Sequence, residues 1–261
     1  MARSARRPTS QDPREALLQL ATDLDLTALA TALPELLAKA ETEKLSFTDF
    51  ALTLLRRESA ARAERRLARS RKRSALGPVL GPEGFDWAAR PDLDPRIVKE
   101  LVLAQFVREK RNVLCLGKPG TGKTRVCDAL ADGALLAGHS VLKRLAVEML
   151  EDLHASHADG TWTRALNRYV KPDVLYLDEF GSQAFDETAT KYLFRVVSSR
   201  YGKGSILLAA NTGFKQWHKF FPSEAHAVAT LDRLVDRASV LRFTGKSFRA
   251  PKQITGASLD E

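Results

Sequence analysis

Cysteine, aromatic side chains and long apolar runs are all scarce in this chain of 261 residues. Its two cysteines, Cys115 and Cys127, have neither the spacing nor the neighbours of a metal site or a disulfide framework. They predict small buried side chains in a reducing cytoplasm. No apolar run approaches the ~18 residues that span a bilayer, and the first twenty residues lack the apolar core of a secretory signal. We therefore expect a soluble, cytoplasmic protein without a membrane partner.

Acidic residues are too few to balance the basic ones, and the net charge is +9. Residues 56–73 hold nine lysines and arginines against Glu58 and Glu64, which leaves +7, and residues 195–252 hold eleven against three acids. Most charge runs are solvated helix surfaces, but the one-sidedness of the first run favours contact with nucleic-acid phosphates. The candidate DNA-binding residues, from this run and a later helix, are Arg62, Arg65, Arg66, Arg69, Arg73, Arg164 and Arg168.

Residues 117–124 read GKPGTGKT and fit the phosphate-binding loop pattern. They follow an apolar run typical of a buried strand and precede a stretch with helical spacing, which a chance turn of glycine and proline residues would not require. The glycines allow consecutive N–H groups to face an anion, Lys123 can reach the β- and γ-phosphates, and Thr124 can place its hydroxyl on Mg²⁺. The segment predicts a nucleoside triphosphate site formed by Gly117, Lys118, Pro119, Gly120, Thr121, Gly122, Lys123, Thr124 and Arg125.

Polar side chains end two further apolar runs. DVLYL leads into Asp178 and Glu179, and SILLAA leads into Asn211. The carboxyl ends of strands in an open parallel sheet face the ligand crevice, so we expect Asp178 to hold Mg²⁺ and Glu179 to deprotonate the attacking water. Asn211 is placed to touch the γ-phosphate and that water, although an asparagine closing a turn is nearly as common.

Composition divides the chain into segments. Pro34 is expected to open a second helical piece. SFTD at 46–49 has the spacing of an N-terminal capping box, and we expect Phe47, Phe50, Ala51, Leu54 and Leu55 to continue as an apolar face. A run rich in glycine and proline carries Phe85 and Trp87, which we interpret as linker aromatics packing on a neighbouring domain rather than on a base. The predicted segments are a disordered tail 1–23, a helical domain 24–75, a linker 76–95, an ATPase domain 96–252 and a flexible tail 253–261.

The fold expected for 96–252 is an α/β domain with one parallel sheet flanked by helices, because strand-like and helical runs alternate. A helix is predicted from Asp94-Pro95 to about Lys110, strands at 141–145, 173–179 and 205–210, and helices between them, with a break at Asp159-Gly160. A small all-α domain precedes it.

Several stretches together resemble one family of AAA+ ATPases. NVLCLGKPGTGKT, PDVLYLDEFG, SSRYGKGSILLAANTGFKQW, LDRLVDRASVLRFTGKSFR and the upstream LSFTDF are similar to the IstB-like ATP-binding proteins, helper ATPases of insertion-sequence transposition. The resemblance covers residues 24–249. Helicase loaders of the DnaC type share the overall pattern.

The resemblance implies further roles. Asn211 becomes the sensor of the γ-phosphate, Arg233 the arginine finger that enters a neighbouring subunit's site, and Arg249 the second sensor, which touches the nucleotide of its own subunit. Arg237 is an alternative finger. The implied protein is an ATP-dependent and Mg²⁺-dependent oligomer, a ring or spiral, that binds double-stranded DNA and presents it to a transposase.

Other functions fit fewer residues. A helicase loader would engage a replicative helicase through the N-terminal helices. A small-molecule kinase would use the phosphate loop but leaves Glu179, Asn211 and Arg233 unexplained as a set, and a GTPase lacks an Asn-Lys-x-Asp motif. A nucleotide-gated interaction module would assemble with ATP and hydrolyse it slowly.

Overall fold

The computed structural model describes residues 12–222 and 224–249, and the chain divides after Arg69 into two compact units. The helices, including two short 3₁₀ turns, and the strands follow one another along the chain. They are α1 Pro13–Asp23, α2 Thr27–Glu43, α3 Phe47–Ser74, a 3₁₀ turn Pro82–Gly84, α4 Pro95–Val102, α5 Gln105–Arg108, β1 Val113–Gly117, α6 Lys123–Leu136, β2 Val141–Leu145, α7 Ala146–Ala158, α8 Trp162–Val170, β3 Val174–Phe180, α9 Glu187–Arg200, β4 Ser205–Ala210, a 3₁₀ turn Phe214–Phe220, α10 Glu224–Val235 and β5 Ser239–Phe243.

The second unit is built on a five-stranded sheet in the order β2-β3-β4-β1-β5. All neighbouring strands are parallel. The carboxyl ends of the strands therefore meet at one edge of the sheet, where β1 runs into the predicted phosphate loop and β3 and β4 end beside it. This architecture confirms the predicted α/β fold with a parallel sheet and flanking helices.

The first unit is helical, as predicted, but begins earlier than expected. The prediction of a disordered tail over 1–23 is wrong for Pro13–Asp23, which form α1. Asp12 accepts a hydrogen bond from the backbone N–H of Arg14 at 2.8 Å, and Pro13 occupies the first turn, where a missing N–H costs nothing. Ala21 is buried against α2. Residues 1–11, and the predicted tail 253–261, lie outside the described residues.

Two details of α2 and α3 also differ from expectation. Pro34 lies inside α2 rather than opening a new piece, because buried Leu33 and its neighbours hold the helix across the missing hydrogen bond. The capping box at the start of α3 is confirmed: Ser46 Oγ accepts the Asp49 N–H at 3.1 Å. The apolar face predicted to follow it is largely exposed, since Phe47 is 97% exposed.

The predicted linker 76–95 belongs to the second unit, which begins at Ser70. Leu76, Phe85 and Leu93 are buried, as is the guanidinium of Arg90, so the segment is an integral part of the unit's packing. Its glycines and prolines prevent regular structure without preventing burial.

The helix predicted from Asp94 to Lys110 is interrupted. Asp94 caps α4 by accepting the Arg96 N–H at 2.8 Å, as its sequence position predicts. The backbone then turns left-handed at Ala104, φ +59°, and α5 starts anew. Among the described residues, no helix is both long and apolar enough to cross a bilayer.

Candidate nucleotide-binding site

The predicted phosphate loop connects β1 to α6 at the carboxyl edge of the sheet. Gly120 and Gly122 have φ values of +78° and +96°, which only glycine adopts without strain. A Cβ on Gly117 would lie 2.2 Å from the backbone oxygen of Phe243. Each of the three glycines is therefore required by the backbone path or by a close neighbour, as the motif predicts.

Lys123 folds back along the loop. Its Nζ donates to the carbonyl of Lys118 at 2.8 Å, and the residue is buried at 6% exposure. Burial lowers the pKa of Lys123, and the nearby Asp178 carboxylate opposes that shift. A buried ammonium held by one carbonyl keeps two donor positions for phosphate oxygens.

Asp178 and Thr124 face each other across the loop. Thr124 Oγ1 donates to Asp178 Oδ1 at 3.4 Å, and Tyr176 Oη donates to Asp178 Oδ2 at 3.2 Å. Lys143 Nζ lies 3.7 Å from the same Oδ2 and 2.7 Å from Asp128, which ties this lysine to the site. A hydroxyl and a carboxylate oxygen are hard donors suited to Mg²⁺, which completes its shell with water and phosphate oxygens. The pair therefore fits the predicted metal role.

Glu179 is placed by an irregularity in β3. The strand does not end at the two acids but continues to Phe180, and its register against β4 shifts between Leu177 and Phe180. Glu179 has φ +53°, an unusual value for a residue with a side chain. A bulge of this kind re-aims a side chain. It exposes Glu179 toward the loop while Asp178 stays buried.

A cavity of about 590 Å³ collects the predicted residues. Pro119, Gly120, Gly122, Lys123, Thr124, Arg125, Asp178, Glu179, Asn211 and Arg249 all line it. Lys118 and Gly117 line an adjacent cavity of about 580 Å³, which also reaches Asn211. Thr121 is fully buried, and its Oγ1 donates to the Lys118 carbonyl, so its role is to hold the loop.

The cavity also has a wall that the sequence interpretation missed. Gly84, Phe85, Asp86 and Phe248 line it. Phe85 lies against Gly122, where a Cβ would be 2.7 Å from the ring, and its ring centroid is 6.1 Å from that of Phe248. Arg125 lies over the Phe85 ring at 5.8 Å, and its Nε is buried without a hydrogen-bond partner among the described residues. The sequence feature that could have indicated this wall is the pair of aromatic residues Phe85 and Trp87 in a segment without helical or strand periodicity.

Arg233 and Arg237 lie elsewhere. Both line a cavity of about 280 Å³ together with Asn112 and Gly204, at the amino edge of the sheet. Arg233 donates to the carbonyl of Ala229 at 2.8 Å. The structure therefore places the predicted finger away from the nucleotide cavity of its own chain.

The basic residues of α3 differ in their partners. Arg62 and Arg65 form ion pairs with Glu58, at 2.8 and 2.9 Å, and Arg71 forms two 2.7 Å hydrogen bonds with Asp132. Part of the +7 charge is thus committed to intramolecular contacts. Arg66, Arg69 and Arg73 form no ion pair with the described acids.

A second, basic cavity of about 910 Å³ lies in the second unit. Four cationic residues line it, Arg73, Arg164, Arg168 and Lys171, and none of its described lining residues is acidic. Arg168 also pairs with Asp152 at 3.0 Å. The structure thus brings together three of the predicted DNA-binding residues and adds Lys171.

Two solved structures of DnaA share the fold of this chain. DnaA of Aquifex aeolicus bound to AMPPCP matches with a TM-score of 0.53 and 21% identity over 64% of this chain and 51% of that one. Domain III of Thermotoga maritima DnaA matches with a TM-score of 0.52 and 17% identity over 65% and 68%. At such identities the likeness concerns the fold alone.

Sequence relatives identify the family. The model for "IstB-like ATP binding protein" matches residues 19–255. A protein of insertion sequence IS5376 from Geobacillus stearothermophilus is 30% identical over 87% of this chain and 90% of its own length. A protein of IS21 from Pseudomonas aeruginosa is 32% identical over 87% and 85%. Both are named as ATP-binding proteins of insertion sequences, and the chain belongs to the IstB-like family of P-loop ATPases.

Proposed function

We propose that the chain is an ATP-driven, DNA-binding helper of transposition, which assembles on double-stranded DNA in the cytoplasm and presents it to a transposase. The observation that supports this function is that the second unit contains two cavities lined by different kinds of residue. One collects the phosphate loop, both acids and Asn211, and the other collects four cations without an acid among its described lining residues.

The first cavity supports hydrolysis of ATP. Loop N–H groups and Lys123 would hold the phosphates. The exposed Glu179 carboxylate would take a proton from a water molecule as the oxygen of that water attacks the γ-phosphorus. The bond from the γ-phosphorus to the bridging oxygen breaks, and ADP carries that oxygen away. Asn211, at the tip of β4, would orient the water and the γ-phosphate.

Mg²⁺ would be held by Thr124 and Asp178. When bound, the ion neutralises charge on the β- and γ-phosphates. The bulge in β3 supports different roles for the two acids. It keeps Asp178 beside Thr124, where both could bind the metal, and leaves the exposed Glu179 to activate water.

The second cavity supports contact with a DNA backbone. Phosphates attract clustered lysine and arginine side chains without regard to base sequence, and such contacts release counterions. Exposed Arg66 and Arg69 on α3 would add phosphate contacts of their own. The relatives' place in insertion sequences supports transposition as the process.

DNA affinity measured over a salt series tests this function. In the variant Arg73→Gln/Arg164→Gln/Lys171→Gln, the log–log salt slope for duplex DNA should flatten by about three units, because each neutralised phosphate contributes about 0.9 to that slope. Arg66→Gln/Arg69→Gln should flatten it by a further two or so units. Fluorescence anisotropy with and without ATP is the measurement, on unrelated duplexes and on single strands of the same length.

The matched control removes three positive charges elsewhere: Lys99→Gln/Lys191→Gln/Lys203→Gln changes exposed lysines outside both cavities. If this control flattens the salt slope equally, the change in slope reflects the loss of net positive charge rather than contacts made by the second cavity. A slope unchanged in all variants would contradict DNA binding through these residues, and preference for single strands would favour the helicase-loader alternative.

A further inference from the structure

Arg90 is a buried cation that neither the phosphate loop motif nor the proposed DNA contacts explain. Only 2% of the residue is exposed, although its sequence context, a run of glycines and prolines, predicts a surface linker. Burying a guanidinium is costly unless its donors are satisfied. All of its hydrogen bonds to described residues go to backbone carbonyls rather than to carboxylates.

Two of these carbonyls belong to two separate segments whose neighbouring residues line the nucleotide cavity. Arg90 Nε donates to Thr121 of the phosphate loop at 2.9 Å, and Nη2 donates to Lys246 at 2.7 Å. The guanidinium carbon also lies 4.0 Å from the ring centroid of Phe248, within the range of a cation–π contact. One planar side chain thus bridges two segments that are far apart in sequence.

Residues 244–249, here called the strap, follow β5 and lie on the phosphate loop. The N–H of Phe248 donates to the carbonyl of Gly120 at 2.8 Å, and a Cβ on Gly120 would lie 1.9 Å from Ser247 Oγ. Phe248 and Arg249 both line the nucleotide cavity. The strap contains no helix or strand of its own, so these contacts fix its position.

We propose that Arg90 is a positioning residue for nucleotide binding, which ties the strap to the phosphate loop and thereby holds Phe248 and Arg249 at the cavity. The fork geometry of arginine suits this task, because it serves two carbonyls and an aromatic face at once. Ordering of the loop by phosphates then also orders the strap. The inference rests on the proposed nucleotide site.

Hydrogen exchange of the strap amides, measured in the full chain without nucleotide and with ATP, tests the proposal. Arg90→Met fills similar space but offers no donor, so exchange at the hydrogen-bonded amides of Phe248 and Arg249 should accelerate by at least about tenfold, the effect of removing one hydrogen bond to a charged group. The dissociation constant for ATP should rise by a similar factor. Arg90→Lys keeps the charge but cannot reach all partners and should give an intermediate value.

Arg96→Met is the matched control, since Arg96 is an exposed arginine nearby whose partner is Asp94. It should leave strap exchange and ATP affinity unchanged. If Arg90→Met does not fold, Phe248→Leu removes the ring beside the guanidinium and leaves the carbonyl hydrogen bonds, and it should still accelerate strap exchange by about threefold.

Wild-type strap protection in a folded Arg90 variant would overturn the proposal, even if ATP affinity fell. Acceleration spread evenly over the second unit would also overturn it, because a purely structural role predicts that result. Exchange without nucleotide reports on the strap independently of the proposed function. Failure of the wild-type chain to bind ATP would instead count against the nucleotide site itself.

Discussion

In the nucleotide cavity, ATP binding and ATP hydrolysis are assigned to different single residues. Lys123 is buried and held by a loop carbonyl, whereas Glu179 is exposed on a bulge with a strained backbone. Strained residues of this kind cluster at active sites, where the surrounding structure holds them in place. The two side chains therefore allow a direct test of the assigned roles.

Lys123→Ala should abolish measurable ATP binding, because it removes the buried cation that neutralises phosphate charge in the ground state. Glu179→Gln should bind ATP almost normally but hydrolyse it more slowly by a factor on the order of 10², since an amide cannot accept the proton of water. Isothermal titration and a phosphate-release assay measure the two quantities. An equal loss of ATP binding in both variants would contradict the assignment.

Glu58 contributes to the pH dependence of stability in the first unit. Burial acts to raise its pKa, but the hydrogen bond from Arg62, the N–H groups of Leu29 and Ala28 and the charge of Arg65 outweigh it, so that the pKa lies below the ordinary 4.5. A depressed pKa contributes stability that is present above 4.5 and lost as the pH falls through the folded-state value. Glu58 thus caps α2, whose Leu26 N-cap has no side-chain hydrogen bond.

Glu58→Gln should therefore lower the melting temperature at pH 7, and its deficit against the wild type should shrink as the pH falls below 4.5. Thermal unfolding followed by circular dichroism between pH 3 and pH 7 measures that difference. Glu64→Gln, an exposed acid on the same helix, is the control and should match the wild type. A deficit independent of pH would show that the carboxylate's charge contributes nothing.

At the scale of elements, the sequence predicts what depends on local pattern. The hydrophobic runs predicted β2 and β4 with their observed bounds, and the glycine spacing predicted the loop, because buried strands require apolar residues and positive φ values favour glycine. The bulge at Glu179 could not be predicted in this way, since it depends on the register of β3 against β4. The wall formed by Phe85 and Phe248 joins residues far apart in sequence.

Charged residues show the same limit. Arg200 falls within the basic run 195–252, yet it is 1% exposed and donates to five backbone carbonyls, those of Tyr169, Val170, Pro172, Asp173 and Ser205. Arg90 is buried in the same manner. A count of charges cannot distinguish an arginine that meets DNA from one that closes the ends of helices and strands, because both raise the net charge equally.

At the scale of the whole molecule, arginines with predicted roles at the nucleotide lie at opposite edges of the parallel sheet. Arg249 reaches the nucleotide cavity at the carboxyl edge, while Arg233 and Arg237 line a cavity at the amino edge. A strand of five or six residues at about 3.3 Å each separates the edges by more than an arginine can span. If Arg233 or Arg237 acts as the proposed finger, it can therefore serve only the nucleotide of another subunit, and the proposed function then requires an oligomer.

Mixing two inactive variants tests that requirement. Arg233→Ala subunits retain a working loop and Lys123→Ala subunits retain the finger, so a mixture should recover ATP hydrolysis that neither variant shows alone. At equal amounts, about a quarter of the interfaces in a closed or spiral assembly would pair an intact loop with an intact finger, and the recovered rate should approach that share of the wild-type value. Arg233→Ala mixed with the double variant Lys123→Ala/Arg233→Ala provides the matched control and should stay inactive. If the first mixture stays inactive although light scattering shows assembly, Arg233 does not act as a finger in trans. If Arg233→Ala hydrolyses ATP alone, and Arg237→Ala is inactive alone but recovers activity when mixed with Lys123→Ala, the finger is Arg237.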